Sequence, residues 1–278
     1  MRPESSVMES SDNQQFPSIY GPVNSWRFGR SLGIDPIGAV STCSFNCVYC
    51  QLGNIQQKTT QRQIFVPTAQ VLRELQAIAP WDYQDIDVVT LSGSGEPTLA
   101  ENLGEILAVV KKITKKPIVV LTNSSKLGDR AVRSDLALAD IVAVKLDAVS
   151  SKQLQRINQS METIDLPDIL TGIEQFRQEY HGCLAMQTMV LSVWTPDIEA
   201  NYIRLIQRLH PDEIQLNAPS RPRVLARQLE SSGNDGVETR SYSCQSLKCI
   251  SAEDLTALAN RIHHITQIPV RYAPVASL

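Results

Sequence analysis

The chain has 278 residues, room for a large core, with 20% charged residues and a formal net charge of -3. That balance gives no global basic field for nucleic acid or an anionic membrane, so any contact with RNA, tRNA included, has to be local. No apolar run approaches the roughly 18 residues of a bilayer span, and the opening MRPESSVMESSDNQQFP is polar where a secretory signal is basic and then apolar, so a cytoplasmic protein with no membrane contact is expected.

Residues 1 to 18 read as a disordered tail. Six short runs rich in Val and Ile then follow as strands: SLGIDPI (31 to 37), IDVVTLSG (86 to 93), PIVVLTN (117 to 123), DIVAVKLD (140 to 147), LAMQTMVLS (184 to 192) and DEIQLNAP (212 to 219). Helical periods lie between them at about 68 to 79, 101 to 113, 129 to 139, 165 to 179 and 196 to 209. This alternation is the pattern of parallel βα units. A core domain is expected over 19 to 220, and 221 to 278 is expected to cover it: a polar, irregular excursion to 250, a helix over 251 to 266 and the extended stretch IPVRY. In barrels of parallel strands the loops leaving the C-terminal strand ends form the active site, so chemistry is sought near Gly38, Gly93, Asn123, Asp147, Ser192 and Pro219.

The first of these loops carries STCSFNCVYCQLGN, with Cys43, Cys47 and Cys50 at spacing C-x3-C-x2-C. In a reducing compartment such thiols are metal ligands or catalytic groups more often than disulfides. Four cysteines close an iron-sulfur or zinc site, whereas three on a [4Fe-4S] cube leave one iron open to another ligand. Zinc would want a fourth Cys or His, and His181, His210, His263 and His264 follow at no finger-like spacing; a structural zinc or a group of buried thiols stays open at this point.

LSGSGEPTLA (91 to 100) places Gly93, Gly95 and Glu96 where the second strand stops. Glycines let the backbone approach a ligand, and a carboxylate there accepts hydrogen bonds from an ammonium group; read alone, the stretch is a tight turn ahead of a helix cap. It is not a phosphate loop, because no G-K-[ST] follows. At the next two strand ends stand Asn123, Lys145 and Asp147, which are polar candidates for a ligand, or else turn chemistry and a salt bridge between neighbours. Gln187, Ser192 and Asn217 are weaker candidates of the same kind.

The cysteine motif, with Tyr49 before its last cysteine and the Gly95-Glu96-Pro97 turn downstream, resembles the radical S-adenosylmethionine superfamily. The resemblance implies an α/β fold, a partial parallel (βα)6 TIM-like barrel. It also implies a [4Fe-4S] cluster on Cys43, Cys47 and Cys50, with S-adenosylmethionine chelated by the open iron. One electron, from a donor such as flavodoxin or ferredoxin, would cleave the sulfonium to methionine and a 5'-deoxyadenosyl radical that abstracts hydrogen from substrate. By the same resemblance Tyr49 packs near the adenine, and the backbone around Gly93 and Gly95 together with Glu96 holds the methionyl ammonium. Asn123, Lys145 and Asp147 are implied for the ribose hydroxyls or the carboxylate. Ser94 and Lys145 stand where relatives often have glycine and serine.

YGPVNSWRFGRSLGID (20 to 35) further resembles a bacterial and archaeal branch related to wyosine-synthesis enzymes, with Trp26 in place of an arginine. Those relatives modify tRNA and use a second cluster held by upstream cysteines, whereas no cysteine precedes Cys43 here. Cys183, Cys244 and Cys249 are scattered and read as unligated. Arg27, Arg30, Arg221, Arg223 and Arg227 are candidates for an anionic substrate, or ordinary solvated surface. The expectation is a radical S-adenosylmethionine enzyme of unassigned substrate. A wyosine-type tRNA-modifying synthase, an iron-sulfur electron-transfer or sensing protein, and a zinc-bound interaction module are the alternatives.

Overall fold

A computed structural model describes residues 16–78, 83–219, 223–224, 244–245, 247 and 250–273. In chain order its elements begin with β1 (Ile19–Ser25), β2 (Gly29–Ile34), β3 (Thr42–Cys43), β4 (Gln57–Lys58), α1 (Thr68–Ala77), β5 (Val88–Leu91), α2 (Leu103–Thr114), β6 (Ile118–Thr122), α3 (Arg130–Leu136) and β7 (Ile141–Lys145). There follow α4 (Ser151–Asn158), α5 (Leu166–Glu179), β8 (Cys183–Met189), α6 (Pro196–Leu209), β9 (Glu213–Asn217), β10 (Arg223–Val224), β11 (Cys244–Gln245), α7 (Ala252–Thr266) and β12 (Val270–Tyr272).

Eight strands form one curled sheet in the order β1-β2-β5-β6-β7-β8-β9-β12. Every neighbouring pair from β2 onward is parallel, and β1 runs antiparallel to β2. Parallel strands are covered on both faces, which explains the unbroken apolar runs: all of Val88–Leu91 is buried, as are Val119, Val120, Val142 and Val144. The helices present apolar stripes to this sheet, Leu103, Ile106, Leu107 and Val110 of α2 among them. Their entries are set by capping side chains, from Asp165 to Leu166 N, Thr195 to Ile198 N and Ser251 to Asp254 N. How far the sheet curls is visible at its edges. Arg271 in β12 donates to the carbonyl of Trp26, in the turn after β1, at 3.2 Å.

All six expected strands are present, and the half-barrel is as expected. IPVRY supplies a further parallel strand, β12, beside β9. Besides the two-residue strands β3, β4, β10 and β11, two elements had no forecast. β1 is a partly exposed edge strand interrupted by Gly21-Pro22, and α4 is short and polar with only Leu154 and Asn158 buried, so neither shows an apolar period. The expected tail lies mostly outside the described residues, but its end is anchored: Gln70 donates to Phe16 O at 2.8 Å, and Ser18 is buried and donates from N and Oγ to Glu74 at 2.8 Å. The expected excursion is described only in part, including an antiparallel pairing of β10 with β11.

Candidate active site

The cysteine loop leaves the C-terminal end of β2, and both of its ends are tied down. On entry, Asp35 folds back: its Oδ1 accepts from Ile37 N (2.8 Å) and Gly38 N (3.0 Å), and its Oδ2 accepts from Ser94 N at 2.9 Å. Burial pushes the Asp35 carboxyl up despite these bonds. Cys43 then lies in β3, paired with β4, and Cys50 N donates to Cys47 O at 3.0 Å to close a tight turn. From the far side the C-terminal end of α4 grips the loop, with Asn46 N and Val48 N each donating at 2.9 Å to Asn158 O and Ile157 O. A helix C-terminus has carbonyls to spare, which is why α4 serves here although its sequence barely signals a helix.

The three thiols sense one another. Burial raises Cys43 well above the ordinary thiol range, with the charges of Glu96, Cys47 and Cys50 adding to the rise. Burial pushes Cys47 up to about 12, opposed by the Lys145 ammonium. N–H donors nevertheless point at the sulfurs: Phe45 N and Asn123 Nδ2 at Cys43 Sγ (3.4 and 3.5 Å), and Asn158 Nδ2 at Cys47 Sγ (3.4 Å). Donors aimed at sulfur in a poorly solvated setting suit thiolates neutralised by iron, which a neutral thiol does not require. Among the described residues no three His, Cys, Asp or Glu side chains gather tightly enough for a single metal ion. Thiols spread around a loop suit a cube, whose cysteines occupy separate corners.

The GSGE turn is a junction. A Cβ on Gly95 would stand 1.7 Å from Thr42 O, so glycine is what lets β3 dock against it, through Thr42 N to Ser94 O and Glu96 N to Thr42 O, both 3.0 Å. Gly93 has φ 136° and backs onto Asp35. Glu96 is 2% exposed and its carboxylate is already occupied. Oε1 accepts from Thr98 N (3.1 Å), Thr98 Oγ1 (2.7 Å) and Thr122 Oγ1 (2.6 Å), and Oε2 accepts from Asn123 N at 2.6 Å. Burial still raises its pKa, against the pull of those bonds. Glu96 thus ties the ends of β5 and β6 together, with a single protein donor on its Oε2.

Asn123, Lys145 and Asp147 do converge on the loop. Asn123 Nδ2 donates to Ser44 Oγ at 2.8 Å, and its Oδ1 accepts from Ser125 N at 3.0 Å. The buried Asp147 accepts the Tyr49 hydroxyl, Asn158 Nδ2 at 2.7 Å and Met189 N at 2.8 Å. Burial, with Asp147 beside it, holds the Tyr49 phenol far above its ordinary pKa. Lys145 Nζ lies 3.9 Å from Asp147 Oδ2 and 5.2 Å from the centre of the Tyr49 ring. A polar row continues around the inner face, where Lys145, Gln187, Gln215 and Arg271 stand in register on adjacent strands. Gln187 Nε2 donates to Gln215 Oε1 at 2.8 Å; Gln215 donates in turn to Glu213, whose carboxylate lies 3.7 Å from Arg271.

Other candidates fall elsewhere. Arg30 is at the start of β2, 3.7 Å from Asp85, and Arg27 stacks over Trp26 and Phe28, so both belong to the end opposite the cysteines; the strand direction decides this. Cys183, at the start of β8, is at that same end. Arg223 does reach the loop, donating to Asn54 Oδ1 at 2.5 Å. Ser192 is exposed beyond β8, and Asn217 O accepts Val190 N at 2.7 Å. Arg221, Arg227 and Cys249 lie outside the described residues, as does the side chain of Cys244. Sequence reasoning missed Asp35, Asn158, Gln215 and Arg271. Asp35 had a signal in the Asp-x-x-Gly of DPIG, a side-chain-capped turn.

Comparison with known proteins assigns the class. The model of the radical SAM superfamily matches residues 39–217, and the chain belongs to that superfamily, whose enzymes use a [4Fe-4S] cluster and S-adenosylmethionine for radical chemistry. Closer in sequence are UPF0026 proteins. One, "UPF0026 protein slr1464" from Synechocystis sp., is 54% identical over 96% of this chain and 100% of its own length. Another, from Methanocaldococcus jannaschii, is 34% identical over 73% of this chain and 64% of its own length. Among solved structures, Streptococcus suis SuiB bound to S-adenosylmethionine superposes with a TM-score of 0.57 at 13% identity, over 84% of this chain and 48% of SuiB. A radical SAM methyltransferase from Sphaerobacter thermophilus gives 0.54 at 16% identity, over 87% and 66%. The chain thus spans about half of SuiB, and the likeness is one of fold.

Proposed function

We propose that Cys43, Cys47 and Cys50 hold three irons of the cluster, and that S-adenosylmethionine occupies the fourth beside Tyr49, Asn123, Lys145 and Asp147. So bound, the cluster would supply the electron that splits S-adenosylmethionine into methionine and a 5'-deoxyadenosyl radical able to take hydrogen from a substrate. The observation that carries this reading is the placement of three thiols on one tied-down loop, with N–H donors on two of them, at the C-terminal strand ends where such barrels do their chemistry.

The chain's own groups divide the work. The ties from Asp35 and α4 hold the cysteine loop open toward the barrel mouth, so the cofactor meets a preformed surface. Lys145 supplies the cation for the cofactor carboxylate, and its partner Asp147, with Asn158, fixes the Tyr49 ring that borders the adenine. Glu96 keeps the backbone of Gly93 to Asn123 in place without touching the ligand itself. The row from Gln187 to Arg271 lines the remaining inner wall and faces the substrate. Flavodoxin or ferredoxin in the cytoplasm would supply the electron.

The test is anaerobic reconstitution with iron and sulfide, reduction, addition of S-adenosylmethionine and measurement of 5'-deoxyadenosine. The nucleoside is expected from the wild type and not from Cys47→Ala; an intact cluster that yields none overturns the reading. Modified nucleosides in tRNA from cells with and without the gene separate a wyosine-type role from a small-molecule or peptide substrate, and an unchanged profile is expected from the charge balance.

A further inference from the structure

We propose that Asn158, and with it Asn123, donates side-chain N–H bonds to the cluster-holding thiolates and so raises the cluster's reduction potential. This rests on the cluster reading above. Asn158 ends α4 and is 1% exposed. Its Nδ2 faces Asp147 Oδ2 at 2.7 Å, Tyr49 Oη at 3.3 Å and Cys47 Sγ at 3.4 Å. The amide can sit only this way round, because a carboxylate that already receives the Tyr49 hydroxyl offers acceptors alone. Its Oδ1 is buried without a partner, so the donor side decides the orientation.

Asn123 reaches Cys43 Sγ at 3.5 Å from the end of β6, so two elements each bring one amide to a different sulfur. Reduction adds negative charge that spreads onto the sulfurs, and N–H bonds to sulfur favour the state with more of it. The donors counter Glu96 beside Cys43 and Asp147 beside Cys47, whose charges oppose reduction. Being neutral amides, they do so without a pH dependence of their own.

The experiment uses the full reconstituted chain and a potentiometric titration followed by electron paramagnetic resonance, without S-adenosylmethionine. Asn158→Leu keeps the volume and removes the donor. At wild-type iron and sulfide content its midpoint is expected to fall by about 59 mV, tenfold in a one-electron equilibrium. An unchanged midpoint overturns the proposal. Wild-type protein labelled with 15N in the asparagine side chains gives a second readout that needs no variant. Pulsed measurements should show 15N hyperfine coupling to the cluster, and its absence overturns the proposal equally. A wild type that takes up no cluster overturns the reading of the site and this inference together; a cluster that forms with no shift and no coupling overturns this inference alone.

Discussion

The two halves of the sheet end in different ways. The C-terminal ends of β2, β5, β6 and β7 are cross-tied by buried groups: Asp35 to Ser94, Glu96 to Thr122 and Asn123, and Asp147 to Tyr49 and Asn158. The inner faces of β8, β9 and β12 carry a row of glutamines and an ion pair whose Arg271 side chain is 45% exposed. The first half is built to hold one geometry, whereas the second runs from the buried Gln215 out to a half-exposed ion pair and is permissive only at its β12 edge. That division suits an enzyme whose cofactor chemistry is fixed and whose substrate is chosen by the other wall.

The sharpest way to break this contrast is at the junction. Gly95→Ala drives a methyl into the Thr42 carbonyl and is expected to destabilise the chain by about 4 kcal/mol or more, with loss of cluster loading. Gly128→Ala, where no atom lies within 4 Å of the added carbon, should stay within about 0.5 kcal/mol, and urea denaturation of the two variants compares them. Next comes Glu96→Gln, which turns an amide donor toward Asn123 N–H or the threonine donors and should cost about 1–3 kcal/mol. The same variant has a pH signature. Glu96 keeps its proton to higher pH in the folded state than at its ordinary 4.5, so its contribution is complete below pH 4.5 and is lost as pH rises through the folded value. Wild-type stability should therefore fall with rising pH across that window more steeply than that of Glu96→Gln; equal slopes would show that Glu96 does not titrate there.

Lys145→Met stands where the two halves meet. It should weaken S-adenosylmethionine binding about tenfold, read calorimetrically, while iron content stays at the wild-type level. The smallest effect belongs to the permissive edge. Arg271→Ala removes the bond to Trp26 O and a half-exposed ion pair, and should change stability by less than about 1 kcal/mol with the same 5'-deoxyadenosine yield. A loss of several kcal/mol there would mean that the seam between β1 and β12 is as tightly held as the cysteine end.

Much of the first half was legible in the sequence, and the reason is local. A buried parallel strand writes itself as a Val and Ile run, so β2, β5, β6 and β7 could be read directly, and the short spacing of Cys43, Cys47 and Cys50 marked a loop that does follow the C-terminal end of β2. Asn123, Lys145 and Asp147 were findable as polar residues at strand ends. Glu96 was found as a residue but not as a hub, because two of the four donors on its oxygens, Thr122 Oγ1 and Asn123 N, come from the next strand and its end. Asn158 had no signal, since a polar helix of eight residues carries no stripe and its partners in the cysteine loop, Cys47 and Tyr49, lie more than a hundred positions upstream. Arg271 was hidden for a similar reason: the curl that brings it to Trp26 is a property of the whole sheet.

The grip of α4 on the cysteine loop has a consequence for biosynthesis. A nascent chain released as far as β6 already contains all three thiols, yet the carbonyls of Ile157 and Asn158 that receive Asn46 N and Val48 N have not been made. The loop can take its final shape only after the chain through Met161, whose own N–H docks on Ser44 O, has left the ribosome. Iron should therefore be delivered to a chain with most of its half-barrel already assembled, and a fragment ending before Ser151 should keep its cysteines as a loose chelator with no defined site.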